Sequence, residues 1–162
     1  MKHVLHNPVF NALSSGDKQL SLGTDAVKFF DETVSPFAGF EESYTKGFAD
    51  LHELLPPGRK ILYAIPTPIT LPTGWQVQHE IKGLQFVYEG DLTIKNEFDN
   101  VVPLTEMHIE EMVALATLTK PGPFATGTIK FGFYHGIFDK DKLVAMTGQR
   151  LHVENYTEIS AV

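Results

Sequence analysis

A single carboxylate stands in the closing run of the chain, "YTEISAV", residues 156–162. Thr157, Ile159 and Ala161 alternate there with Glu158, Ser160 and Val162, the period of two that marks a strand. The run around Glu158 is otherwise neutral and looks largely buried. Burial of a carboxylate favours its protonated form and moves it toward the range useful for proton transfer, which makes Glu158 a candidate general base. A second reading puts Glu158 on the solvent face of an edge strand, or pairs it with Arg150 across a hairpin. On the residues alone the second reading outweighs the first.

Other reactive residue types form no pattern of comparable interest. The seven histidines are scattered; His3 and His6 could share a face, but no acidic or His partner beside them gives metal-ligand spacing. There is no HExxH, no GxSxG elbow, no Walker A sequence and no GxGxxG, so no metal is expected and no glycine loop for a nucleotide is found. "TKPGPF" (119–124) is a rigid turn after a helix. Helix termination accounts for it; the functional alternative is a wall of a substrate site, because a loop with fixed prolines can hold a pocket open.

These residues need elements to position them. Residues 7–15 read as a short helix with Asn7 as cap and Pro8 at its first position. Residues 27–40 are apolar but irregular. Residues 43–55 read as a helix capped by Ser43, with Tyr44, Phe48, Leu51 and Leu55 on one stripe. Residues 60–66 read as a strand, and 75–81 with 84–88 as a hairpin about "KG". From Asn100 a short strand leads into the best helix of the sequence, capped by Thr105 and ended by "PGP" at 121–123, with Glu106, Glu110 and Glu111 early where the dipole favours them. A helix over 126–132, strands over 133–138 and 143–153, a possible bulge at Gly148, and the closing strand complete a β-α-α-β-β-β order.

Composition sets the outer limits. With 162 residues, 43% hydrophobic and 20% charged, the chain suits one soluble domain or two small ones. A net charge of −7 with no Lys/Arg cluster argues against nucleic acid as partner. There are no cysteines, which excludes disulfides and thiolate chemistry and suits a reducing cytoplasm. No stretch is long and apolar enough for a membrane helix, and the first residues lack a secretory apolar core.

The run "DKLVAMTGQRLHVENYTEISAV", residues 141–162, resembles a GNAT-superfamily N-acetyltransferase, in particular a bacterial subgroup with an N-terminal extension; "NPVFNAL", "VSPFAGF" and "TGWQVQHEIKGLQFV" are similar to that extension. The resemblance implies an α+β fold with a mixed, mostly antiparallel sheet and flanking helices. It implies an N-terminal unit over 1–98 and the first half of an acetyltransferase domain over 99–162. It implies acetyl-CoA as cosubstrate and a small-molecule or peptide amine as acceptor. Backbone groups of Ile159, Ser160, Ala161 and Val162 would then meet the pantetheine and thioester, and Glu158 matches the position of a frequent general base.

In that family a pyrophosphate loop at a helix N-terminus, and a tyrosine general acid, follow the strand that matches "YTEISAV". The sequence ends at Val162, so it reads as stopping within an interior strand, through a truncated gene, as a fragment, or with a second chain completing the sheet. An unpaired strand of this kind is expected to self-associate along its edge. The alternative to an enzyme is a non-catalytic remnant that serves as a dimerisation or ligand-binding module.

Overall fold

The computed structural model describes residues 2–91, 98 and 100–160. Its centre is an antiparallel four-stranded sheet of β4 (Val101–Pro103), β5 (His135–Asp139), β6 (Lys142–Val153) and β7 (Tyr156–Ser160), hydrogen-bonded in that order. The first two helices and three short strands precede it: α1 (Pro8–Ser14), then β1 (Leu22–Gly23), β2 (Val27–Phe29) and β3 (Ala38–Phe40) in a second antiparallel sheet, then α2 (Gly47–Leu54). The third helix, α3 (Ile109–Thr119), joins β4 to β5. The architecture is the α+β, mostly antiparallel one expected from the sequence.

The β6 strand carries the design. It pairs with β5 on one edge and β7 on the other. Its register slips twice. Between Ile137 and Phe138 of β5 the partners jump from Ala145 to Leu143, and between Gln149 and His152 two residues, Arg150 and Leu151, oppose Glu158 alone. Each slip is a β-bulge, and each reverses which side chains face inward. Leu143 is buried before the first, Met146 between them, and Leu151 and Val153 after the second. The bulge therefore sits at Arg150–Leu151 rather than at Gly148.

One core gathers residues from both halves of the chain. Val9 and Leu13 of α1, Phe30 and Val34 after β2, Met112 and Ala116 of α3, and Leu143, Leu151 and Val153 of β6 form a single buried cluster. A second cluster seats Val27, Ala38, Phe40 and Leu51, with Phe48, Tyr63 and Trp75 packed against it. Phe40 stacks on Tyr63 at 4.9 Å, and burial pushes the Tyr63 phenol up to about 12.

Several expected elements take other forms. Pro8 opens α1, but the Asn7 amide does not cap it; it donates to the Phe40 carbonyl at 2.8 Å and ties α1 to β3. The irregular run 27–40 supplies β2 and β3, because Phe30 and Ala38 bury on it while Pro36 and Gly39 only bend it. α2 begins at Gly47, since the Ser43 hydroxyl donates to Glu41 instead of capping. Thr105 does cap, in a reciprocal pair with His108, and a short 3-10 turn precedes α3. The expected helix over 126–132 shrinks to a 3-10 turn at Thr128–Phe131.

The strand expected at 60–66 is a single parallel bridge between Leu62 and Phe37. Side-chain stacking of Tyr63 on Phe40 replaces a ladder there, and Pro66 has no N–H to extend one. The hairpin expected over 75–88 forms no ladder among the described residues. Trp75 is anchored by its indole N–H to the Phe48 carbonyl at 2.8 Å, but Ile81, Leu84 and Phe86 are more than 80% exposed. A two-stranded hairpin with no surface to bury against is marginal in water.

A buried carboxylate fastens the N-terminal segment to the central sheet. Asp17, 1% exposed, accepts from the His152 backbone N–H at 3.0 Å and lies 2.7 Å from His152 Nδ1. The approach is close enough that a Cβ on Gly16 would come within 2.5 Å of the His152 Cβ, so only glycine fits before Asp17. Burial pushes the Asp17 carboxyl above its ordinary value, and the bonds from His152 offset only part of that. Replacing the carboxylate leaves the His152 N–H without an acceptor. The substitution Asp17→Ala is expected to cost about 1–3 kcal/mol in urea unfolding, while the surface change Glu53→Ala stays within about 0.5 kcal/mol.

Candidate functional site

Glu158 lies in the middle of β7, across from the bulge in β6. The alternation along β7 sets Tyr156, Glu158 and Ser160 half-buried on one face and Thr157 and Ile159 exposed on the other. Two residues facing one at the bulge aim the Arg150 guanidinium at the carboxylate. Arg150 Nε donates to Glu158 Oε2 at 2.9 Å, and Nη2 donates to Oε1. The fork is thus bidentate, the strong geometry for this pair. Arg150 is held from above by the Phe37 ring, whose centroid is 5.0 Å from the guanidinium carbon. The hairpin pairing weighed from sequence is therefore the one the fold adopts, and the carboxylate keeps 38% of its side-chain surface in solvent.

Of the residues expected to meet a cofactor, Ile159 is 64% exposed and Ser160 half-buried. Ala161 and Val162 lie outside the described residues. Strand β7 is the last in its sheet, so the outer backbone edge at Ile159 and Ser160 has no strand partner among the described residues.

A narrow cleft adjoins this strand. Pro121, Pro123, Phe124, Tyr134, Arg150 and Ser160 line it. "TKPGPF" does end α3, through a left-handed Lys120 (φ 52°), and it also forms a wall of the cleft. The loop is fixed from behind: Thr128 donates its hydroxyl to the Val34 carbonyl at 2.9 Å and accepts from the Ala125 N–H at 2.8 Å, and the Gly127 N–H donates to the Thr33 carbonyl at 2.8 Å.

Tyr134, just before β5, is the residue that sequence reasoning passed over. It is 3% exposed and meets Phe124 edge-on at 5.8 Å. Its ring lies on the backbone of Gly148, where a Cβ would approach ring carbons to 2.3 Å, so a side chain at 148 is excluded. Burial pushes its phenol up to about 12, with the neighbouring Arg150 pulling the other way. The available signal was a lone hydroxyl in the Phe-rich run "FGFYHGIF", where phenylalanine would pack as well.

Three of the histidines serve the fold. His152 pairs with Asp17, His108 accepts from the Thr105 N–H at 2.9 Å, and His3 sits 3.3 Å from the Tyr156 hydroxyl. Among the described residues, no three His, Asp or Glu side chains converge as a metal site, and no helix is long and apolar enough to cross a membrane.

The pair of Arg150 and Glu158 is partly desolvated and clamped, so it is expected to outweigh an exposed ion pair. A double-mutant cycle with Arg150→Ala and Glu158→Ala should give a coupling of about 1–2 kcal/mol, against the ~0–1 kcal/mol of surface pairs. Additive effects would show that the fork holds nothing in place.

The whole fold has a close counterpart. A crystal structure described as an acetyltransferase of the GNAT family, from Novosphingobium aromaticivorans DSM 12444, superposes with a TM-score of 0.85 at 28% identity, over 99% of this chain and 71% of its own. No family model and no curated protein matches the sequence. That superposition covers nearly all of the chain, and the α+β fold is the one found in that GNAT-family structure.

Proposed function

We propose that this protein transfers the acetyl group of acetyl-CoA to a primary amine, with Glu158 as the general base. The observation that carries the reading is the position of Glu158: a half-exposed carboxylate on β7, one residue from a backbone edge that no strand occupies among the described residues. A pantetheine arm is a chain of amides. It can pair with the backbone N–H and C=O groups that point outward along the Ile159–Ser160 stretch, where alternate residues face away from β6, much as an added strand would, and Ala161 and Val162 would continue that edge. Residues 99–162 would form this part of the acetyltransferase sheet and residues 1–98 the extension packed on it.

The chemistry is addition and elimination at the thioester. The amine nitrogen attacks the carbonyl carbon, the C–S bond breaks, the ammonium proton passes to Glu158 directly or through a water, and the CoA sulfur leaves as thiolate or, once protonated, as thiol. Holding thioester and amine together supplies much of the rate, and positioned proton removal adds about 10²–10⁴-fold. The fork to Arg150 does not block this role. A carboxylate offers about four lone-pair positions and the guanidinium takes two, so the exposed side of Glu158 can still accept from an ammonium or a water.

A second copy pairing along the outer edge of β7 would compete with the pantetheine arm for the same backbone groups, and belongs to the alternative reading of a dimerisation module; a cytoplasmic setting, which a cysteine-free chain suits, goes with the acetyl-transfer reading. Titration calorimetry of acetyl-CoA into the 162-residue chain is expected to show saturable binding near one per chain. Glu158→Gln should keep that affinity and lower kcat toward amines by about 10²–10⁴-fold at pH 7. No saturable binding to folded protein would overturn the reading. Binding with an undiminished kcat in the variant would remove Glu158 as base and leave the transfer itself standing.

A further inference from the structure

Gln149 and His152 stand three residues apart on β6, and their side chains meet: His152 Nε2 lies 2.9 Å from Gln149 Oε1. In a regular strand successive side chains alternate between faces, so residues three apart point to opposite sides of the sheet and cannot touch. The bulge removes that obstacle. Gln149 is paired with Ile159 and His152 with Thr157, and the extra residue at Arg150–Leu151 turns both side chains to one face, the face that carries Thr157 and Ile159. The contact therefore exists only in the bulged strand, and its energy favours that strand over a regular one.

The other side of the ring is fixed. His152 Nδ1 lies 2.7 Å from Asp17 Oδ1, and the His152 backbone N–H donates to Asp17 Oδ2 at 3.0 Å. Asp17 is buried, so the ring and backbone of His152 are held against the N-terminal segment while Nε2 is aimed at Gln149. The chain of contacts runs from Asp17 through His152 and across the bulge to Gln149, which is the residue opposite Ile159. Without its last link the junction between the two registers is freer to slide. One step toward Gly148 would set Leu151 opposite Glu158 and move Arg150 toward Ile159, and the fork between Arg150 and Glu158 would be lost.

We propose that Gln149 is a positioning residue for Glu158: its side-chain carbonyl, closing on His152, pins the bulge where Arg150 meets the carboxylate. Gln149 acts through His152 and the backbone of β6. Its role in the reaction rests on the acetyl-transfer reading above; its hold on the bulge does not.

The test compares two variants of the full 162-residue chain. Gln149→Met keeps the length of the side chain and lacks the oxygen; Gln149→Glu keeps an acceptor for His152. The first readout, by NMR, is exchange with water of the Arg150 Nε proton, which is donated to Glu158 Oε2. Gln149→Met is expected to speed that exchange by about two- to tenfold, the size of one net hydrogen bond, and Gln149→Glu to return it to the wild-type rate. The Trp75 indole proton, donated to the Phe48 carbonyl, reports general loosening and should keep its rate in both variants. The second readout is turnover with a primary amine. Here kcat should fall at least about twofold in Gln149→Met, with KM for acetyl-CoA unchanged, and recover in Gln149→Glu. An Arg150 proton that exchanges at the wild-type rate in Gln149→Met, a rise shared equally by Trp75, or a Gln149→Glu variant no better than Gln149→Met would each overturn the proposal. So would a loosened fork with kcat unchanged, since Glu158 would then need no such hold. Wild type that transfers no acetyl group to any amine would bring down the transfer reading instead, and the exchange rates alone would then decide whether Gln149 pins the bulge.

Discussion

A twelve-residue strand with a five-residue partner on each edge must serve β5 along its first half and β7 along its second while burying side chains in one core. Strand β6 meets this constraint with two bulges, and the rest of the molecule follows from where they fall. The first slip lets Leu143 and Met146 both reach the core. The second puts Leu151 and Val153 into it and, at the same point, sets Arg150 opposite Glu158. A regular ladder would have kept a single parity along the strand and forced a choice between core and ion pair. The bulge thus couples packing to the geometry of the candidate site.

The N-terminal segment is not an appendage to this sheet. α1 contributes Val9 and Leu13 to the cluster that also holds Met112 and Leu151, so its removal would open the centre of the protein. Asp17 adds direction to that apolar contact. A buried carboxylate with no partner would be costly; here it meets the backbone N–H and side chain of His152, two residues beyond Arg150 on the same strand. The extension and the site-bearing strand therefore hold each other in register, and a change in one should be felt in the other through His152.

Much of this was legible in the sequence, and the limits have physical causes. The Pro at the start of α1, the Thr105 cap and the four strands after residue 100 could be read because local chemistry decides them. β2 and β3 escaped notice because each is three residues long, too short for a period to show. The run 75–88 erred the other way. Its alternation is clear, but alternation stabilises a strand only where a core or a ladder receives it, and Trp75 alone is received. At the site, Glu158 and its partner Arg150 could be named from their strand positions. Tyr134 could not, because its importance lies in contacts with Gly148 and Phe124, and neither is written in spacing.

An unpaired strand edge is ordinarily a hazard, since it offers a template to any extended chain. On β7 the hazard and the proposed chemistry have the same origin. The backbone groups that invite association are those an amide-rich cosubstrate arm would satisfy. The side chains along β7 fit this double demand. Glu158 is anchored on the sheltered face by a fork that fixes its position yet leaves part of its oxygen surface open. Ile159 stands on the opposite face, exposed and unneeded by the core. Among the described residues the strand is held through one face and one edge, and under the proposed reading the other edge receives an arm that must also depart.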